Sequence, residues 1–208
     1  MKETPINNIL HIFADVILLS FLVFFTSFLG IIITTGASLT AGFDVMFKLH
    51  DQKRATYIIK EFKDSFLKNF VQSTIVFFVI ALLGIGLFFA FNYANNTGSI
   101  ILLVSVYAAL IELILFASYF FAILAVFESP SILQISKNTV LMLHGHPFVS
   151  IRLLGTIVAI GYLVFNVHSL FLFLGIPIYL YFNTFILKKT FSIYIYKIRG
   201  EVNEVSKL

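Results

Sequence analysis

Polar and apolar positions in this chain are grouped in long blocks and do not alternate residue by residue. Three runs contain no charged side chain, residues 16–43, 69–111 and 153–187, and a membrane-crossing helix needs only roughly 20 apolar residues. The last run spans about 52 Å at helical rise, against a hydrocarbon core of about 30 Å, so it must fold back, and Asn166-Val-His168-Ser169 is the place for the reversal. The pattern predicts spans over residues 9–33, 71–91, 100–127, 148–166 and 170–187, with a polar turn at Asn92–Ser99 and a kink at Pro177.

Between the first two spans lies a polar stretch, residues 34–72. It opens with Gly36, Ala37, Ser38, Ala41 and Gly42, a density of small residues that predicts a tight turn. From Tyr57 onward, Ile58, Phe62, Phe66 and Phe70 recur every four residues, while Lys60, Glu61, Lys63, Asp64 and Lys68 fall mostly elsewhere on the wheel. That is the signature of an amphipathic helix lying flat at the membrane surface, aromatics down. A second amphipathic helix is expected to start at Ser129-Pro130 and to stop at His144-Gly145-His146-Pro147. The expected fold class is therefore all-α: one polytopic helical membrane domain over residues 1–208, with about five transmembrane helices plus two cytoplasmic amphipathic helices.

Composition agrees. The chain is 60% hydrophobic and 12% charged, where soluble domains run at about 45–50% and about 25%. The short alternating segments of a membrane β-barrel are missing. Lysine and arginine sit before the first span (Lys2), between the first two (Lys48, Lys53, Arg54, Lys60, Lys63, Lys68), after the third (Lys137, Arg152) and in the C-terminal tail, and are missing from the other two connections. Positive charge marks cytoplasmic segments, which predicts an N-terminus outside and a C-terminus in the cytoplasm. The first apolar run far exceeds the 7–15 residues of a signal-peptide core, so it reads as a retained anchor.

The chemical inventory is sparse. There is no cysteine, no phosphate-binding glycine loop, no zinc-protease helix and no nucleophile elbow, so no catalytic residue, cofactor or enzymatic activity is expected. His144 and His146 lack a carboxylate or thiolate neighbour in sequence and do not make a metal site. The basic residues are interleaved with acids at membrane borders, which excludes a nucleic-acid partner and leaves the bilayer as the expected environment. One ionisable residue, Glu112, falls well inside a span, where a carboxylate costs about 2.5–3.5 kcal/mol and faces the bundle interior. Counting helical rise from the cytoplasmic ends puts Glu112, Ser20, Asn166 and His168 at similar heights, about 21–24 Å. They form a candidate polar layer, with Glu112 protonated or paired with a protonated His168.

Three stretches carry a resemblance. Thr34-Thr-Gly36-Ala-Ser-Leu-Thr40-Ala41 follows the first span, and Phe62-Lys-Asp-Ser-Phe66-Leu-Lys-Asn69-Phe70-Val-Gln72 precedes the second. Ser129-Pro-Ser-Ile-Leu-Gln-Ile-Ser-Lys137-Asn138 comes after the third. In these the chain resembles the YesL-like predicted integral membrane proteins of bacteria, a domain family of unknown function, although that family usually has proline where this chain has Ala37. The resemblance implies a multi-pass protein of the bacterial cell membrane. Members often lie beside genes for carbohydrate uptake, which implies an accessory role near a sugar transporter subunit. The alternative is a small solute transporter or channel with Glu112 on its path.

Overall fold

A computed structural model describes residues 5–30, 33–52, 57–127, 131–167 and 171–205, with side chains over 12–28, 30, 33–50, 57–127, 131–166 and 174–194. Among the described residues the chain is helical throughout and has no strand. The helices are α1 (Pro5–Leu29), α2 (Thr35–Gln52), α3 (Ile58–Thr97), α4 (Ile100–Val126), α5 (Ile132–Gly145), α6 (Pro147–Tyr162) and α7 (Phe171–Val205). Among the described residues three are long and apolar enough to cross a membrane: α3, α4, and α6 with its extension to Asn166. In α1 the apolar stretch is the shorter Ile12–Phe28. The architecture is that of a polytopic helical membrane protein, as the hydropathy pattern predicts.

The polar stretch is built differently from expectation. Its small residues do not make a turn. Gly36, Ala37, Ser38, Ala41 and Gly42 lie inside α2, and all five are buried. The same residues that suit a tight turn also let helices approach to backbone contact, and here the second property decides. A Cβ at Gly36 would overlap the Ser73 carbonyl oxygen on α3 and stand 2.8 Å from the Phe77 Cβ. One at Gly42 would stand 2.8 Å from Leu180 on α7 and 2.9 Å from Val23 on α1. Further along α2, Phe43, Val45 and Met46 are fully buried. The hydroxyls on this helix are satisfied locally, Thr40 Oγ1 donating to the Gly36 carbonyl at 2.9 Å and Ser38 Oγ to the Thr34 carbonyl at 2.8 Å. Thus α2 is the inner helix of the bundle, and α1, α3, α4 and α7 pack around it.

Nor does the amphipathic stripe lie on a helix of its own. Ile58, Phe62, Phe66 and Phe70 form the first turns of α3, which continues unbroken for 40 residues to Thr97. Between Ile58 and Leu83 there is no glycine or proline to stop it, and a change from amphipathic to wholly apolar composition does not break a backbone. The stripe packs inward, Phe62 buried and Phe66 half-buried against the core. At the far end the expected eight-residue turn shrinks to Gly98 and Ser99. Gly98 adopts φ 63°, the left-handed conformation that glycine reaches without strain. Ser99 caps α4, its Oγ accepting from the Leu102 N–H at 3.4 Å.

Neighbour contacts fix the directions. Thr26 with Ser38, and Val23 with Gly42, make α1 and α2 antiparallel. Gly36 with Phe77, and Lys48 with Glu61, do the same for α2 and α3. Phe77 with Phe121, and Phe91 with Tyr107, pair α3 with α4, and Thr156 with Asn183 pairs α6 with α7. Because α2 supplies a return pass that the five-span count lacks, α1 begins at the same end of the bundle as α3. The start of α1 and the end of α7 therefore share one end, where the sequence count expected them at opposite ends. The reversal near Asn166 follows a single π turn, Leu163–Val167, that ends α6. Pro177 sits inside α7 without ending it. The expected helix start at Ser129-Pro130 lies outside the described residues apart from Ser131, the N-cap of α5.

Candidate functional site

The candidate layer of Glu112, Ser20, Asn166 and His168 is distributed as follows. Ser20 is buried on α1 and donates to the Val16 carbonyl of its own helix at 2.5 Å. Asn166 is exposed in the π turn and donates to the Tyr162 carbonyl at 3.3 Å. His168 lies outside the described residues. Glu112 is on the outside of α4, its side chain 52% exposed, with Oε1 3.2 Å from Nε2 of His144 at the end of α5. Its neighbours Leu110 and Ile111 are exposed and apolar.

Both histidines of the His-Gly-His-Pro turn thus have partners, on different helices. His144 reaches Glu112 on α4, and His146 Nε2 lies 2.9 Å from the Tyr194 hydroxyl on α7. The turn is held to two helices at once. Among the described residues no group of three or more histidine, aspartate or glutamate side chains is placed to hold a metal.

The polar contacts inside the bundle are made by residues that sequence reasoning passed over. Tyr179 on α7 donates its hydroxyl hydrogen to Ser118 Oγ on α4 at 2.9 Å, and Ser118 in turn donates to the Ile114 carbonyl at 2.9 Å. Tyr119 is fully buried and lies 3.2 Å from Ser150 Oγ on α6, while Ser150 donates to the Leu143 carbonyl. Thr156 on α6 donates to Asn183 Oδ1 on α7 at 2.7 Å. Asn183 is fully buried, and its Nδ2 has no hydrogen-bond partner. Scattered hydroxyls in apolar runs are common, so only Asn183, the one amide within the expected span 170–187, carried a usable signal.

Two cavities flank this network. One, of about 550 Å³, lies between α3, α4, α6 and α7 with Leu39 of α2 at its base; Ser118 and Tyr179 are its only polar lining residues. The other, of about 640 Å³, sits where α2 ends and α3 begins. Its wall carries Asp44, Lys48, Glu61, Asp64, Lys68 and Asn69, closed by the last turn of α4. Lys48 bridges the two helices there, with Nζ 3.0 Å from Asp44 and 3.8 Å from Glu61. Asn69, buried, turns its Nδ2 back to the Ser65 carbonyl at 3.1 Å. Of the motif residues that carry the resemblance, Thr34, Gly36 and Thr40 form the start of α2 and its approach, and Phe62, Phe66, Asn69 and Phe70 face it from α3. Thr34 donates to the Thr26 carbonyl, and Phe66 stacks between Phe62 and Phe70 at 6.2 and 5.5 Å. The motif is thus the seam between α2 and α3 together with one wall of the charged cavity.

This combination, apolar helices around a polar-seamed inner helix, defines a membrane-compatible helical bundle. Residues 16–93, from the middle of α1 to near the end of α3, match the family described as a protein of unknown function, DUF624. No curated protein and no solved structure matches the chain.

Proposed function

We propose that this chain is a multi-pass membrane protein that acts without catalysis, through contact with a second membrane protein, as an accessory to carbohydrate uptake or sensing. The carbohydrate setting and the bacterial membrane rest on the resemblance to YesL-like proteins. The contact rests on one observation: the Glu112–His144 pair is half exposed beside the exposed apolar side chains Leu110 and Ile111. Facing lipid, such a pair is costly, and a partner helix offering a hydrogen-bonding or cationic side chain removes that cost. The charge distribution supports placing the α2–α3 charged end, with the start of α1 and the end of α7, on the cytoplasmic side.

The test is purification from native membranes in mild detergent, wild type beside Glu112→Leu. Wild type is expected to retain a solute-uptake subunit that the variant loses while remaining folded. Equal recovery of that subunit with both would remove the contact reading. Solute flux by the purified protein alone in vesicles would replace it with a transporter. In that reading the path would pass Glu112, which lines a groove of about 720 Å³ between α3, α4 and α5.

A further inference from the structure

We infer that the cavity between α3, α4, α6 and α7 is a binding site for one hydrocarbon chain of a bilayer phospholipid. The walls are aliphatic: Ile80 and Gly84 from α3, Leu110 and Leu113 from α4, Ile160 from α6 and Ile176 from α7. Its volume of about 550 Å³ lies within the roughly 300–1,000 Å³ of small-molecule sites, and it is open to its surroundings, not sealed.

Water fills it poorly. A buried water needs two to four polar partners, and a space of about 550 Å³ offers only the lone pairs of two hydroxyls, whose protons are used by Tyr179 donating to Ser118 and Ser118 to the Ile114 carbonyl, far too few to hold the waters that would fill it. A polar solute meets the same obstacle, because no charged side chain and no amide lines the space. An empty cleft forfeits the dispersion contacts that hold helices together where lipid is the solvent. The surrounding medium of α3, α4 and α6 supplies the remaining candidate, an acyl chain, in unlimited amount. The Tyr179–Ser118 hydrogen bond at the polar spot of the wall then ties α4 to α7 beside the chain and stops the cleft from collapsing.

Gly84 makes the inference testable. It lines the cavity, and a Cβ there would meet nothing within 4 Å, so a larger side chain enters the space without striking the protein. Gly86 has the same freedom but lines the separate groove between α3, α4 and α5. Gly84→Leu and Gly86→Leu thus change helix propensity alike and differ in which space they fill. Purified protein carried through detergent delipidation and weighed by native mass spectrometry should retain about one phospholipid as wild type and as Gly86→Leu, and at least several-fold less as Gly84→Leu. A wild type that retains none, or equal retention by both variants, overturns the site. A rise in melting temperature for Gly84→Leu without any change in lipid retention also overturns it, since the space is then only a packing void.

A second reading uses the absence of tryptophan from the chain. Leu110→Trp places a fluorophore on the cavity wall, and Ile101→Trp places one on an 83% exposed position of the same helix. In vesicles containing phosphatidylcholine brominated on its acyl chains, quenching at 110 should saturate at a low mole fraction of brominated lipid. Quenching at 101 should keep rising with that fraction. Identical curves at the two positions would mean that 110 sees only bulk lipid.

Discussion

Gly36 of α2 rests on the backbone of Ser73 in α3, so close that no side chain fits between them. The closest packing of the inner helix therefore depends on a missing methyl group. Gly36→Ala should destabilise the protein by about 1–3 kcal/mol, the usual cost of forcing an extra carbon into a packed seam. Gly84→Ala is the internal control: with open space around its Cβ, it should be neutral or stabilising by about 0.5–1 kcal/mol through helix propensity. Denaturant or thermal unfolding in detergent, followed by circular dichroism, separates the two. Equal behaviour of both variants would show that α2 and α3 are not in backbone contact.

The continuity of α3 gives a distance. Lys60 and Asn92 are both exposed and lie 32 positions apart on a single helix, so spin labels at these sites should be separated by about 48 Å. A surface helix bending sharply near Phe70 into a separate span would bring them to about 36 Å on the same rise. The chain has no native cysteine, so two introduced cysteines suffice for a pulsed electron paramagnetic resonance measurement.

Asn183 and Thr156 form a coupled pair that a double-mutant cycle should expose. Thr156→Val removes the hydroxyl that donates to the buried Asn183 amide oxygen and should cost about 1–3 kcal/mol. Asn183→Leu removes the amide and its unmet Nδ2 together and should cost less. The double variant should sit close to Asn183→Leu alone, giving a coupling energy of about 0.5–3 kcal/mol. Strict additivity would mean that the hydrogen bond between α6 and α7 contributes nothing.

Glu112 and His144 should behave in the opposite way. Both are about half exposed, and an apolar surrounding penalises their charge while rewarding their hydrogen bond, so Glu112→Gln, which keeps the hydrogen bond without the charge, should unfold within about 1 kcal/mol of wild type in detergent. A loss well beyond that would make the pair a structural clamp between α4 and α5 and would weaken its reading as a contact for a partner.

The helical character of the bundle was legible in the sequence because three long uncharged runs admit little else. The path of the chain was less so. Gly36, Ala37 and Gly42 suit a turn or a close helix crossing equally well, and only the facing residues Ser73, Val23 and Leu180, distant in sequence, decide between them. The charges of residues 60–68 mark a change of environment along α3 and not a change of element, and the two leave the same imprint on local composition. Equal helical height put Ser20 and Glu112 in one layer, but height says nothing about facing direction: Ser20 turns inward and Glu112 outward. The Tyr179–Ser118 and Asn183–Thr156 contacts needed the α6–α7 and α4–α7 registers, which local pattern does not encode.

The polarity of α2 has a consequence for how the protein is made. With Asp44, Lys48 and His50 in its second half, α2 is not among the helices apolar enough to enter a membrane unaided, yet it ends up as the best-buried helix of the bundle. It must therefore wait at the translocation machinery until α3 has been synthesised and offers the Ser73 face. Assembly is then ordered by dependence: α3 inserts on its own hydrophobicity, and α2 follows as its client. A nascent chain released before Phe77 should leave α2 stranded and be handed to membrane proteases, while one released after Thr97 should already be resistant.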